Sequence, residues 1–448
     1  MGKLVESVAS MVKKERCVVT FLQEEVVDAG QYRLHIVGTD KFKTNSIIIQ
    51  LKRKLTGEDI TIRALLPYVL QSGTENLPSA KQIRSYLDEL YGASLTVDLS
   101  KKGEHHVITF QLDVANETFL SVQPHLFQKA FALLTDILLH PKTSSQNKLD
   151  EEIVSKEKRA LKQRIQAIFD DKMRYANKRL IEEMCENEPY QQHVYGRLEK
   201  VDELTADQLY RYYERVIRED ELDIYVVGVV KSNQVQQIVR NTLRFPFERK
   251  NGDQTADLRH IDVISEKETF EEQHVQQGKL HIGYRTYTTF KDDDYYALLL
   301  MNGIFGGFSH SKLFVNVREK ESLAYYASSR LDSHKGLMFV MSGIEPANYA
   351  KTVAIIKEQM AKMKHGDFND EEISQTKTMM KNQWLETIDN PRGIVEILYH
   401  QVIANCKRRI DEIIRGIDVV TREQIVDVAK KVKLDTIYFL KGKGAQSV

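Results

Sequence analysis

Apolar residues run along this chain in two rhythms. Ile47-Ile48-Ile49-Gln50-Leu51 and the stretch from Val107 to Leu112 are rich in β-branched residues and have strand length, whereas Val154 to Leu180 carries apolar residues at helical spacing. The pattern then returns. Leu87-Asp88-Glu89-Leu90-Tyr91-Gly92-Ala93-Ser94-Leu95, a strand over His106–Leu112, Ala115-Asn116 and an apolar helix follow one another in the first half. In the second half, Glu319-Lys320-Glu321-Ser322-Leu323-Ala324-Tyr325-Tyr326-Ala327, a strand over Leu337–Ser342, Ala347-Asn348 and another apolar helix do the same.

The offset is 232 residues (347 − 115), and it also lays Ala324 on Gly92. Asp150-Glu151-Glu152-Ile153 answers Asp370-Glu371-Glu372-Ile373, Val201-Asp202-Glu203-Leu204-Thr205 answers Ile417-Asp418-Val419-Val420-Thr421, and Leu222-Asp223-Ile224-Tyr225 answers Leu434-Asp435-Thr436-Ile437-Tyr438. Matches in one unbroken order mean a duplication, with small deletions in the second copy. The predicted fold is α+β: two homologous repeats, each a mainly antiparallel sheet covered by helices. The polar stretch Glu248-Arg249-Lys250-Asn251-Gly252-Asp253-Gln254 lacks apolar periodicity, which predicts domains over 1–240 and 259–448 joined by a linker over 241–258.

Composition narrows the function. The 448 residues exceed one ordinary hydrophobic core, and 64 acidic against 64 basic residues leave no net field to draw nucleic acid or an anionic membrane. Cys17, Cys185 and Cys406 are scattered, without CxxC spacing, and are expected to be buried structural thiols. No apolar segment is long enough to span a bilayer, so a cytoplasmic location is expected.

Phe305-Gly306-Gly307-Phe308-Ser309-His310-Ser311-Lys312-Leu313-Phe314, running on into Val317-Arg318-Glu319-Lys320-Glu321-Ser322-Leu323-Ala324-Tyr325, resembles the second-domain signature of the pitrilysin family. That family groups insulin-degrading enzyme, the mitochondrial processing peptidase and related bacterial processing proteases. Ser72-Gly73-Thr74 and Asn187-Glu188-Pro189-Tyr190 stand in the family's order, so the likeness covers nearly the whole chain.

The resemblance implies a zinc site on an HxxEH helix in the first domain, with a carboxylate ligand on a helix downstream. Such spacing puts two imidazoles on one helix face and the glutamate beside a metal-bound water. Counting back from Ser72-Gly73-Thr74, the motif falls on Ala64, Leu65, Leu66, Pro67 and Tyr68. Ala64 and Tyr68 stand for the two histidines and Pro67 for the base. The third ligand falls near Gln163 or Arg164, and Glu157 resembles the outer acidic residue of that helix, but one carboxylate cannot hold catalytic zinc. His105 and His106 offer no alternative, because neighbours in a strand point to opposite faces, one expected in solvent and one in the core.

Arg318 and Tyr325 match the residues with which the family binds substrate backbone and the oxyanion across the cleft. Their spacing, seven residues, is close to two helical turns and predicts one shared face. A guanidinium and a phenol are suitable donors for developing negative charge. Arg318 paired with Glu321 or Asp332, and Tyr325 packed in the core, is the plainer alternative. Other features point to less. Gly306-Gly307 reads as a tight bend or flexible loop, Ser309-His310-Ser311 as no triad, Tyr210, Tyr212 and Tyr213 with Arg211 and Arg215 as a half-buried helix, and Lys351–Lys364 as an amphipathic helix.

The expectation is a zinc-less, non-catalytic subunit, inactive alone, that lends Arg318 and Tyr325 to a homologous HxxEH-bearing partner and binds peptide as an added strand. No cofactor is expected in this chain, zinc being confined to the partner. Isolated, the chain could form a homodimer. The alternative is a structural or peptide-binding homodimeric pseudoenzyme with no role in proteolysis.

Overall fold

The computed structural model describes residues 23–120, 125–145, 147–249, 262–263 and 265–442. Cys17 and residues 250–258 of the expected linker lie outside them. The first half runs β1 (Glu24–Asp28), β2 (Arg33–Gly38), β3 (Thr44–Lys54), α1 (Ile60–Leu70), α2 (Ala80–Glu89), β4 (Ser94–Lys102), β5 (His105–Ala115) and α3 (Leu126–Leu139). A small pair, β6 (Thr143–Ser145) and β7 (Lys148–Leu149), leads into α4 (Glu151–Asp170), α5 (Lys172–Met184), α6 (Leu198–Val201), α7 (Ala206–Glu219), β8 (Glu221–Gly228) and α8 (Ser232–Thr242). The second half follows with β9 (Lys267–Gln273), β10 (Gly278–Arg285), α9 (Tyr295–Asn302), β11 (Ala324–Asp332), β12 (Leu337–Ile344), α10 (Tyr349–His365), α11 (Asp370–Thr387), α12 (Pro391–Ala404), α13 (Ile410–Val419), α14 (Arg422–Lys431) and β13 (Lys433–Gly442).

Sheet order carries the duplication into three dimensions. The first sheet is ordered β1-β2-β8-β3-β5-β4 and the second β9-β13-β10-β12-β11, so β2 and β9, β8 and β13, and the remaining strands occupy equivalent places. In each, the edge-side pair is parallel (β2 with β8, β9 with β13) and the rest antiparallel. Only the first sheet adds an outer strand, β1, among the described residues.

The halves interlock by exchanging helices. Tyr175, Ala176, Leu180, Ile181 and Met184 of α5 pack with Leu337, Phe339, Tyr438 and Leu440 of the second sheet. Reciprocally, Ile394, Val395, Leu398 and Tyr399 of α12 share a cluster with Val37, Ile48, Tyr225 and Val227 of the first. Each such side chain taken from water stabilises the joint by about 1.5–3 kcal/mol. Gly283 of β10 makes the exchange possible, since a Cβ there would lie 2.5 Å from Met184 Sδ.

Candidate functional site

Helix α1 carries the five motif positions, and its sequence explains its place. Ile60, Ala64, Leu65, Leu66, Tyr68, Val69 and Leu70 are all buried, so the helix is apolar nearly all round and runs through the first-half core. Asp59, at its N-cap, makes no side-chain cap and instead pairs with Arg215. Pro67 lies inside the helix, where it has no N–H to give the preceding turn, and the helix ends soon after at Leu70.

Helix α4 crosses α1 and brings the downstream positions to it. The Arg164 guanidinium lies over the Tyr68 ring at 3.8 Å from its centroid, so two positions that resemble metal ligands do converge, as a cation stacked on a phenol ring. Tyr68 is held above the usual tyrosine range, first by burial and then by Tyr195, to which it is hydrogen-bonded, while Arg164 pulls the other way. Gln163, in contrast, points to solvent. Glu157 survives but is engaged: buried, it accepts a 3.0 Å bond from Ser72 Oγ. A methyl, a proline ring, a phenol and a guanidinium are no ligand set for zinc, and the Arg164 charge opposes a cation there. Among the described residues no group of three or more His, Cys, Asp or Glu side chains could hold a metal ion.

The polar side of α1 is structural. Arg63 Nη1 stands 2.6 Å from Asp220 Oδ2, Nε donates to His106 Nδ1 at 3.1 Å, and Nη2 donates to the carbonyls of Leu51 (2.9 Å) and His106 (3.1 Å). His106 is pushed down to about 3, by burial first and by Arg63 next, and so stays neutral. The expected alternation of His105 and His106 between solvent and core is corrected here: both are buried, because the second half covers the face that a free sheet would expose. Cys185 is buried as expected, and Cys406 only partly.

In the second half the expected helix breaks. Gly303–Gly307 and Phe314–Lys320 are wide, π-helical turns, and Gly306 is no bend but a contact point where a Cβ would lie 2.5 Å from Ser329 Oγ. Arg318 lies in the second turn, exposed, with its guanidinium 4.6 Å from the Phe314 ring centroid. Tyr325 is not on that helix. The chain leaves it at Glu321, reverses through Ser322 at φ 50°, bonds Leu323 N to Val317 O at 3.0 Å, and enters edge strand β11. The shared helix face is therefore corrected; a reversal, not two helical turns, brings Tyr325 back beside the Arg318 segment. Core packing of Tyr325 is excluded as well, since it is 70% exposed. Glu321 pairs with Lys351 at 2.5 Å, and Asp332 accepts from Tyr190 Oη, so both acids offered as Arg318 partners are engaged elsewhere.

A buried ionic cluster joins the halves. Lys335 pairs with Glu104 and, at 2.6 Å, with Glu188; Arg285 reaches Glu188 at 2.6 Å and Asp435 at 2.8 Å. Lys101 donates to the carbonyls of Tyr190 and Gln192, at 2.7 and 2.8 Å, and is pushed down to about 8 by burial. Of these, Glu188 and Tyr190 stood out in sequence by the family's order and Asp435 by the repeat. Tyr195, which bonds to Tyr68, gave no signal of its own, and Phe314, which carries Arg318, stood in the second-domain signature without a role.

Comparison with known proteins agrees with this geometry. The family description "Peptidase M16 inactive domain" matches residues 203–380, from α7 into α11. The Bacillus subtilis (strain 168) protein "Probable inactive metalloprotease YmfF" is 49% identical over 425 residues, covering 95% of this chain and 99% of that one. "Uncharacterized zinc protease YmxG" of the same organism is 21% identical over 67% of this chain and 72% of its own length. The crystal structure of a conserved protein from Enterococcus faecalis V583 superposes with a TM-score of 0.87 at 32% identity, covering 95% of this chain and all of that one. With the paired sheets, the second-half signature and α1 stripped of ligands, these likenesses assign the chain to the pitrilysin (M16) metallopeptidase family, as an inactive member lacking the zinc motif.

Proposed function

We propose that this chain is the non-catalytic subunit of a split peptidase, binding peptide and lending Arg318 and Tyr325 to the active site of a homologous zinc-bearing partner. The observation that carries the reading is the exposure of both side chains: a guanidinium held by Phe314 and a phenol on an edge strand, neither occupied by a carboxylate among the described residues. Donors left free in this way suit an oxyanion supplied from outside the chain. Zinc and its ligands belong to the partner in this reading, and β11 offers an open edge for extended substrate. The complex would work in the cytoplasm. No helix among the described residues is long and apolar enough to cross a membrane.

The test mixes the chain with an HxxEH-bearing homologue and follows cleavage of a quenched peptide, against each protein alone and with chelator. Arg318→Ala should leave assembly intact and slow turnover about 100-fold, the order found on removing one oxyanion donor. Unchanged turnover sinks the role. The second reading, a peptide-binding homodimer with no part in proteolysis, draws on the Tyr68–Arg164 stack, which fills the first-half site. It predicts peptide binding by the chain alone and no effect of Arg318→Ala.

A further inference from the structure

Arg164 puts a positive charge at a position where the family resemblance expects a ligand carboxylate, and no acid among the described residues pairs with it. Its Nη1 is buried without a hydrogen-bond partner. Other arginines of the interior differ. Arg33, Arg63, Arg179 and Arg285 each rest on one or more acids. Among the described residues Arg249 and Arg408 also lack an acid, but they donate to backbone carbonyls, Arg249 to Ile217, Gln31 and Asp220 and Arg408 to Lys291 and Asp292. Two acids of this region are already engaged: Glu157, two turns back along α4, holds Ser72, and Asp98, which acts on Tyr68, pairs with Arg392. Tyr68 is hydrogen-bonded to Tyr195 and held above the usual tyrosine range by burial, so it does not balance the charge.

A guanidinium held against a ring presents its N–H groups as a planar fork, the geometry that meets both oxygens of a carboxylate. We propose that Arg164, backed by Tyr68 and flanked by Tyr195, forms a carboxylate-binding subsite for a peptide, taking either its C-terminal carboxylate or an Asp or Glu side chain. Arg164 is only partly buried, which leaves an approach from solvent. The inference rests on the reading that the chain binds peptides, and it adds which peptides.

Three fluorescein-labelled decapeptide pools test it by polarisation with the full chain: acid-free with an amidated end, acid-free with a free C-terminus, and amidated with one Asp or Glu. An acid-bearing pool should bind about tenfold tighter than the acid-free amide, which is about 1.4 kcal/mol. Arg164→Gln should abolish that preference and leave binding of the amide pool unchanged, and Arg164→Lys should keep part of it. Preference for the free C-terminus or for the acidic side chain tells the two sources apart. Equal affinity for all pools, or a preference that survives Arg164→Gln, overturns the subsite alone. Binding of no pool overturns the peptide reading with it.

Discussion

The two arginine sites have been treated in opposite ways by the same duplicated scaffold. Arg164 lies against a tyrosine that is 6% exposed, in a helix whose neighbours are all core, whereas Arg318 and a tyrosine 70% exposed stand at the rim of the second sheet. Both guanidinium groups rest on a ring rather than on an acid. The difference lies in what the tyrosine contributes. Buried Tyr68 is part of the first-half core, and its loss must be felt by the fold; Tyr325 gives up nearly all the stabilisation that burial would bring. A large side chain left out in this way, next to an uncommitted cation, marks surface kept for contact with something else.

The strongest perturbation acts on the joint that holds the two regions in one body. Glu188 accepts from both Arg285 and Lys335, so Glu188→Ala breaks two buried ion pairs at once, leaving Arg285 only Asp435 and Lys335 only Glu104, and should cost about 3–5 kcal/mol in urea unfolding. Acid attacks the same joint. His334 Nε2 meets His400 Nδ1 at 2.6 Å, with Phe290 against both rings and with Lys102, His105, Asp332 and Glu396 facing them. Burial pushes His334 well below, and His400 down to about 3 from, the ordinary value of 6.5. A histidine held neutral in the fold binds a proton more readily once unfolded. Its stabilisation is therefore present above 6.5 and is lost as pH falls from there towards 3. His35 runs the other way: Asp223 and Glu24 overcome burial and raise it, so its share is present below 6.5 and lost as pH rises through its folded value. Because His106, His193 and His281 are also pushed down to about 3, a net fall in melting temperature between pH 6.5 and 4 is expected. A flat profile would mean that these rings are open to water.

Truncating the two tyrosines sets the regions directly against each other. Tyr68→Ala should destabilise by about 3–5 kcal/mol, as for other large buried rings, and would also uncover Arg164. Tyr325→Ala should stay within about 0.5 kcal/mol, as for an exposed site. Equal costs in chemical unfolding would erase the distinction between a filled site and an open one.

Much of this was legible beforehand, and what was not has identifiable causes. Offsets between repeated motifs found the duplication, because strands and helices that pack alike keep their apolar spacing; the matched sheet orders follow from it. Convergence of Tyr68 with Arg164 was implied by the motif positions, though their stacking was not. Tyr325 was misplaced because helical spacing continues through Glu319-Lys320-Glu321, while a single left-handed residue, Ser322, redirects the chain. His105 and His106 were misread because alternation assigns faces within one sheet and does not see the half that covers it. Exchange of α5 and α12 is likewise invisible to any local pattern, since each helix is equally amphipathic whichever sheet receives it.

The finest cut falls on Phe314, which separates an arginine that is held from one that is merely exposed. Its ring lies 4.6 Å from the Arg318 guanidinium, and a cation over an aromatic face at an exposed site is worth about 0.5–1 kcal/mol. Phe314→Leu keeps an apolar side chain of similar bulk, so unfolding should change by less than about 1.5 kcal/mol. The π face, however, is gone. If Arg318 works from the position that the ring gives it, turnover by the assembled peptidase should fall about two- to fivefold through kcat, with KM for the peptide little changed. Phe314→Tyr should restore it, because the face returns. A loss that Tyr fails to rescue would place the defect in the packing of the π-helical turn and not in the placement of the charge.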